Sequence, residues 1–434
     1  MGEWKTIEDL FDFEKGTLQS SKCTPGKYTF ITAAEEWKTH ESYTHDCEAL
    51  VFAMAASGSL GRTHYVNGKF ISSDLCFILT PKKELKLDLL FYYRLFNFLR
   101  RDIVKKTATG TSKLAINQTN FGAYRLPFFE YEHQLCFRAK IESMANINDE
   151  FFGQISDQLS FLNQLRQAIL QEAVEGRLTT KWRDKHPELI NGDNHASKLL
   201  EKIKAEKERL TKNTKGAKNA KTLLPISEEE KPFDLPEGWV WCQPSDLGFF
   251  AGGGTPNTSV TDYWNGNIPW ITPKDMKVDN IYNSELKITK KGIENSNAIL
   301  LPANTLIFVV RSGILKRIIP ISISRVESTI NQDLKAWFLC MSEMADFLRI
   351  NIKGHEARLL RSIVKKSMTV ESFDFDKFKC FPIPLPPLAE QQAIVERVDK
   401  LMTMTDELEK QVSERKEQSE MLMQSVLGEA FVKG

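Results

Sequence analysis

The stretch PPLAEQQAIVERVDKLMTMTDELEKQV, residues 386–412, decides the architecture. Ile394, Val398, Leu401, Leu408 and Val412 fall at steps of threes, fours and their sum, the seam of a coiled coil. Pro386 and Pro387 end the segment before it, and a helix can start right after them. Thr405 interrupts the seam, which points to a specific partner rather than to maximum stability. A second long amphipathic run opens at Glu132-His133-Gln134 and carries Ile155, Leu159, Leu162 and Ile169 on one stripe. Its end, Ala168-Ile169-Leu170-Gln171-Glu172-Ala173, resembles Ser425-Val426-Leu427-Gly428-Glu429-Ala430. The two helices sit at an offset of about 257 residues, which reads as an internal duplication.

The upstream segments follow the same order. Trp4 matches Trp239, Ile31-Thr32 matches Ile271-Thr272, and Leu50-Val51-Phe52 matches Leu306-Ile307-Phe308. Ser57-Gly58-Ser59-Leu60-Gly61-Arg62 matches Ser312-Gly313-Ile314-Leu315-Lys316-Arg317, and Ile71–Leu75 matches Ile330–Leu334. The chain is two diverged copies of one unit, a globular domain followed by a long helix. The expected class is α+β: two similar domains of mixed α/β sheet, separated by two long antiparallel coiled-coil helices. The boundaries are residues 1–131 for the first domain and 132–178 for the first long helix. Residues 179–233 give a short helix and basic linker, 234–386 the second domain, and 387–430 the second helix. The linker is basic, with nine basic and three acidic residues between Lys198 and Lys221, and reads as solvated chain.

Bulk properties exclude several classes. With 58 basic and 57 acidic residues the chain is not uniformly basic, so any nucleic-acid surface must be local. No apolar stretch is long enough to span a bilayer, so no membrane role is expected. The seven cysteines are scattered without a CxxC pair, which points to reduced thiols and a cytoplasmic protein. The glycines of AGGGTP, residues 251–256, lack a following GK[ST], so no phosphate loop is expected. His40, His45, Cys47 and His64 fit no zinc spacing. The triplets Glu84-Leu85-Lys86 and Glu285-Leu286-Lys287 do not align in the repeat, which argues against a nuclease centre. No catalytic residue and no metal site is assigned.

These residues resemble the specificity subunit of type I restriction–modification systems. The motifs that carry the resemblance are DLPEGWVW at 234–241, GGGTP at 252–256, YWNGNIPWIT at 263–272, INQDL at 330–334 and IPLPPLAEQQAIVERVDKL at 383–401. The first copy is more degenerate. It lacks GGGTP and the tryptophan-rich motif, and Glu132-His133-Gln134 stands for the more usual Glu-Gln-Gln. The resemblance implies a non-catalytic chain with two target-recognition domains, each reading half of a split, asymmetric sequence in double-stranded DNA. It also implies docking of two modification (methyltransferase) subunits and of restriction (endonuclease/translocase) subunits. S-adenosylmethionine and ATP with Mg would sit on those partners, with no cofactor in this chain. The long helices would set the gap between the half-sites. An autonomous nuclease and an architectural coiled-coil protein are the alternatives.

The candidate DNA contacts are polar loop residues near the repeat motifs. They are Ser57, Arg62 and Lys69 in the first domain, and Thr272, Lys274, Arg311, Lys316 and Arg317 in the second. Arg358, Arg361, Lys365 and Lys366 form a further basic cluster late in the second domain.

Overall fold

The computed structural model describes residues 3–55, 58–110, 114–213, 225–365 and 370–428. They fall into two compact units. Unit 1 comprises Met1–Gln158 with Gln411–Gly434, and unit 2 comprises Leu159–Lys410. Each unit therefore holds one globular domain, one half of the first long helix and one half of the second.

Both long helices are present. The first rod runs from Tyr131 to Val174 and the second from Leu388 to Gly428. At 1.5 Å per residue these are rods of roughly 65 and 60 Å. Their first turns are built alike. The Gln134 side-chain amide donates to the Phe129 carbonyl at 2.6 Å, and Gln391 donates to Pro386 at 2.9 Å. Each glutamine thereby binds the chain ahead of its helix and is buried. This register pairs Gln134 with Gln391, so the counterpart of Glu390 is His133 and not Glu132. The first rod ends at Gly176, which takes the left-handed conformation (φ 72°) that favours glycine after a helix.

Within unit 2 the rods are antiparallel. Arg166 of the first rod binds Asp406 and Glu409 of the second, each at 2.6 Å. Further along the first rod, Thr179 just beyond its end reaches back to Glu390. The buried stripe of the first rod is Ile141, Ile155, Leu162 and Ile169, a seven-residue period, with Leu159 partly covered. On the second rod the buried positions among the described residues are Glu390, Gln391, Ile394, Val398, Thr405 and Val412, with Leu401 partly covered. Two sequence expectations change here. Leu408 is 45% exposed, and Thr405, at 2%, takes the seam place. Thr405 can be buried because its hydroxyl donates to the Met402 carbonyl one turn back, at 2.8 Å.

The sheet of unit 1 has six strands in the order Phe11–Lys15, Cys76–Pro81, His45–Ala53, Thr63–Ser72, Tyr28–Ile31, Lys38–His40. Unit 2 repeats the first four places with Gly248–Gly252, Leu334–Leu339, Thr305–Val309 and Ile321–Ser324, and adds Asn280–Ile281. In unit 1 the strand Thr63–Ser72 runs on far enough to pair in parallel with Tyr28–Ile31. In unit 2 the same path is cut at Arg325, whose guanidinium turns away to Asp346 and Asn304. The chain resumes as Thr329–Ile330 and pairs with Trp264–Ile271 in a separate three-stranded sheet. The hydrogen bonds at this join persist: Ser73 N to Ile31 O at 2.9 Å, and Asn331 N to Ile271 O at 3.0 Å. A glycine survives in both copies where two backbones cross. A side chain at Gly16 would lie 2.1 Å from the Ser73 carbonyl oxygen, and one at Gly253 1.8 Å from that of Asn331. This explains the one glycine of GGGTP that the degenerate first copy keeps.

A short strand pair ties each domain to its following rod. Glu3–Thr6 pairs with Arg125–Phe128, and Val240–Cys242 with Ile383–Leu385. Trp4 lies opposite Pro127, and Trp241 lies opposite Pro384. The capping boxes that follow, Thr6 with Asp9 and Gln243 with Asp246, keep the same spacing. The structural partner of Trp4 is therefore Trp241. The expected match to Trp239 slips by two because the motif Trp-Val-Trp offers two tryptophans.

Each domain also carries a helix on its sheet, Leu89–Thr107 in unit 1, and Ala345–Gly354 with Glu356–Ser362 in unit 2. The rod ends meet these helices at matched places. Gly354 faces Val174 and Leu170, and Phe98 faces Gly428. Large and small residues have exchanged sides between the copies.

Candidate nucleic-acid interface

In both units the central strand runs into a turn that lies against a small hairpin. In unit 2, Thr305–Val309 leads to the turn Gly313–Lys316, which Ser312 caps by accepting from the Ile314 N–H. The hairpin is Val364–Lys365 with Ser372–Phe373. Two backbone bonds join turn and hairpin: Phe373 N to Val310 O at 2.9 Å, and Ser312 N to Glu371 O at 3.2 Å. In unit 1 the hairpin is Ala108–Thr109 with Ala115–Ile116, and Ile116 N donates to Met54 O at 2.8 Å. Its turn is held from below by Arg100, which donates to the carbonyls of Leu60 and Gly58 at 2.8 and 2.9 Å. Gly58 and Gly61 there have φ of 80° and 77°, conformations that suit glycine.

This edge gathers several of the candidate residues in unit 2. Arg311 is exposed and bridged to Ser372, and Arg317 is exposed beside it. Lys316 stands 3.4 Å from the buried carboxylate of Glu371, and Lys365 2.9 Å from Asp374. The Lys365 ammonium and hydrogen bonding hold the Asp374 carboxyl below its usual range. Both lysine side chains remain 65% exposed, so their charge is available to an anion. Unit 1 puts Arg62 at the same edge, 3.5 Å from Glu35. Ser57 and Lys366 lie outside the described residues.

The other candidates are placed elsewhere. Thr272 and Lys274 sit on the turn after Trp264–Ile271, where the Thr272 hydroxyl donates to Asp275 at 2.9 Å. Lys69 stands over the Tyr43 ring at 4.9 Å, and Tyr43 itself packs tilted against Tyr28 at 4.7 Å between ring centroids. Sequence reasoning missed this pair, in which Tyr43 is exposed and Tyr28 half-buried, because the residues are far apart in the sequence and share no motif. Arg358 is a correction. It donates to the Glu230 carbonyl at 2.6 Å and lies 4.9 Å over Phe381, so it fastens the linker to the domain. Burial lowers its pKa. Arg361, on the same short helix, is exposed.

A second constellation was also missed. Glu390, fully buried at the start of the second rod, accepts from the Thr179 hydroxyl at 2.7 Å and the Trp239 indole N–H at 2.7 Å. Arg183 adds a third bond at 2.5 Å. One carboxylate thus joins the end of the first rod, the entry to the second domain and the start of the second rod. In unit 1 the matching His133 is exposed. This arrangement is structural and holds the unit 2 junction.

Among the described residues no group of three or more His, Cys, Asp or Glu side chains is placed to hold a metal ion. Among them, too, no helix is long and apolar enough to cross a membrane.

The family model described as type I restriction modification DNA specificity domain matches residues 1–134 and 236–418. The type I restriction enzyme EcoR124I/EcoR124II specificity subunit of Escherichia coli is 38% identical over 174 residues, 40% of this chain and 43% of that protein. The EcoEI specificity subunit of Escherichia coli is 29% identical over 290 residues, 61% of this chain and 43% of that protein. The chain thus spans less than half the length of these two relatives. The EcoDI specificity subunit of Escherichia coli aligns over 440 residues at 22% identity, covering 99% of this chain and 88% of that protein. A solved chain from a study of complex assembly and conformational transition in the type I R-M system superposes with a TM-score of 0.66 at 16% identity. It covers 99% of this chain and 97% of its own, a likeness of fold.

Proposed function

The chain belongs to the type I restriction–modification DNA specificity family, and from that premise we propose that it is the DNA-reading subunit of such a system. Each domain reads one half of a two-part sequence through the turn and hairpin edge described above. The observation that carries this reading is the repeat of that edge with different side chains. The matching bonds of Ile116 N to Met54 O and of Phe373 N to Val310 O hold the two edges, which carry Arg62 in unit 1, but Arg311, Lys316, Arg317 and Lys365 in unit 2. Exposed Lys and Arg on a turn supply phosphate contacts, and Arg also reads guanine in the major groove. Two unlike copies of one reader give an asymmetric target.

The chain itself is proposed to be non-catalytic. Methyl transfer from S-adenosylmethionine, and ATP- and Mg-dependent restriction, belong to partner subunits. The rods offer those partners a surface. Leu165 and Leu422 are 44% and 65% exposed, and Ile147 and Met404 are 65% and 53% exposed. Each pair sits at the duplication offset, so each unit presents a like apolar patch, as docking of two equivalent modification subunits requires.

Methylome sequencing of the host with and without the gene tests the reading. One asymmetric two-part motif is expected to lose methylation on deletion. Unchanged methylation everywhere, or robust cleavage or methylation by the purified chain alone, contradicts it.

A further inference from the structure

In unit 1 the loop after the strand Tyr28–Ile31, residues 32–37, stands beside the start of Thr63–Ser72 and the helix Leu89–Thr107. Between them lies an open slot of about 370 Å³, walled by Glu35, Trp37, Arg62, His64, Tyr93 and Arg94. Unit 2 covers the matched strand edge with its own chain. There Asn280–Ile281 pairs along Ile321–Ser324, and Ile323 N donates to Asp279 O at 2.8 Å. The loop of unit 1 is shorter and leaves the edge at Thr63 to the Asn97 side chain. Asn97 accepts from the Thr63 N–H at 3.1 Å and donates to the Thr63 carbonyl at 2.9 Å.

The apolar wall of the slot is fixed. The Trp37 indole N–H donates to His64 Nδ1 at 3.1 Å, and the two rings meet edge to face at 5.7 Å. Burial pushes the His64 imidazole below its ordinary pKa, so the ring stays neutral and Nδ1 stays an acceptor. Trp37 is thus held by one edge while 44% of it remains exposed. The charges of the slot are held loosely by comparison. Arg94 is exposed. Arg62 and Glu35 stand 3.5 Å apart, and the Glu35 side chain is 86% exposed. An ion pair so long and so exposed contributes little, so its donor and its acceptor can both turn to a ligand at small cost.

We propose that this slot reads one G·C pair in the half-site of unit 1, with Glu35 as a specificity-determining residue beside Arg62. The proposal rests on the reading of the chain as a DNA-recognition subunit. In the major groove guanine offers two acceptors, O6 and N7, and its cytosine partner offers an amino donor next to O6. Arg62 supplies the fork for the guanine, and Glu35 supplies the acceptor for the cytosine amino group. The two side chains stand next to each other as those base atoms do. A thymine in guanine's place offers one acceptor and a methyl group, and so leaves one arm of the fork unbonded. Trp37 gives the base edge an apolar wall, and Arg94 takes a phosphate from the helix side. A carboxylate placed among arginines weakens attraction to phosphates in general. Its presence here is accounted for by discrimination between bases, not by affinity.

The test reads the methylated motif by single-molecule sequencing in cells that carry the full chain with Glu35→Ala, Arg94→Ala or Arg62→Ala. Glu35→Ala, at an exposed position, is expected to lower discrimination at one G·C pair of one half-site about tenfold or more, with every other position kept. Binding of the purified variant to DNA of unrelated sequence, read by fluorescence anisotropy, should be unchanged or tighter, a result that a merely structural role would not give. Arg94→Ala should keep the motif and reduce the salt dependence of binding by about one phosphate contact. An unchanged motif with Glu35→Ala overturns the proposal, as do degeneracy at an A·T pair and loss of methylation throughout. Arg62→Ala separates this failure from that of the underlying reading. If Arg62→Ala alters one half-site and Glu35→Ala does not, the slot is wrong and the reading edge stands. If neither alters either half-site, both fall for unit 1.

Discussion

At the start of the first rod the helix emerges past an exposed histidine, His133, while at the start of the second it is anchored by a buried carboxylate, Glu390. The two starts share one backbone device, the Gln134 and Gln391 side chains folded back on the preceding carbonyl. What differs is the chain available to complete them. Unit 2 has an incoming linker that supplies Thr179, Arg183 and Trp239 to Glu390, and Phe233 to Trp241. The described residues of unit 1 contain no counterpart to that linker. Among the described residues no such partners surround position 133, and an exposed histidine stands there; a carboxylate buried without partners would bear its full desolvation cost. The lesson is that a duplicated fold keeps its backbone bonds and edits its buried charges according to which chain is at hand.

The largest break in this comparison is expected at Glu390. Glu390→Ala leaves the Arg183 guanidinium, 11% exposed, without its partner, together with the Trp239 N–H. Removing one member of such a buried pair typically destabilises by about 3–5 kcal/mol. His133→Ala should change stability by less than about 0.5 kcal/mol. Thermal unfolding of the two variants checks this, and equal shifts would remove the distinction between the two starts.

Acid sharpens the comparison next. His355 is buried, and burial, reinforced by Arg358, lowers its pKa to about 4. Its folded value lies below the unfolded value near 6.5, so its neutral form contributes stability above pH about 6.5 that is lost as pH falls toward 4. The loss is about 2–3 kcal/mol by linkage. His355→Leu should flatten the fall in melting temperature across that window. An unchanged slope would show that His355 is not the titrating group.

The rod ends give a smaller effect of opposite sign. A methyl group at Gly354 would lie 2.6 Å from Val174 Cγ1 and 2.9 Å from the Leu170 carbonyl, and overpacking of this kind destabilises by about 1–3 kcal/mol. At Gly428 the closest atom is Phe98 Cζ at 3.8 Å. Gly428→Ala should be neutral or stabilise by up to about 1 kcal/mol through helix propensity. Chemical denaturation distinguishes the two, and destabilisation by both would mean that the exchange of large and small residues is incidental.

Much of this was legible in the sequence because long-range order was. The rods showed through their heptads, and the duplication through motifs kept in sequence. What failed were local registers and buried charges. The slip from Trp241 to Trp239 came from two tryptophans with one residue between them, which only pairing with Pro127 and Pro384 separates. Leu408 and Thr405 traded places because a hydroxyl that bonds its own helix can be buried as readily as a leucine is exposed. Arg358 looked like one charge in a basic cluster, and only the path of the linker turns it into a clamp. In the candidate interface, the turn was marked by its repeated Ser-Gly motif, but the hairpin beside it was not. Its strands are two residues long, too short for any periodic signal.

A change confined to one reading edge tests the central claim most directly. Arg311→Ala combined with Lys316→Ala and Lys365→Ala alters the reading edge of unit 2 alone, with Arg62 and unit 1 untouched. Single-molecule sequencing of methylated DNA from cells carrying this triple variant reads the outcome. The account predicts that one half of the two-part motif becomes relaxed or lost while the other half is kept. Relaxation of both halves together, or an unchanged motif at full methylation, would contradict the assignment of one domain to each half-site.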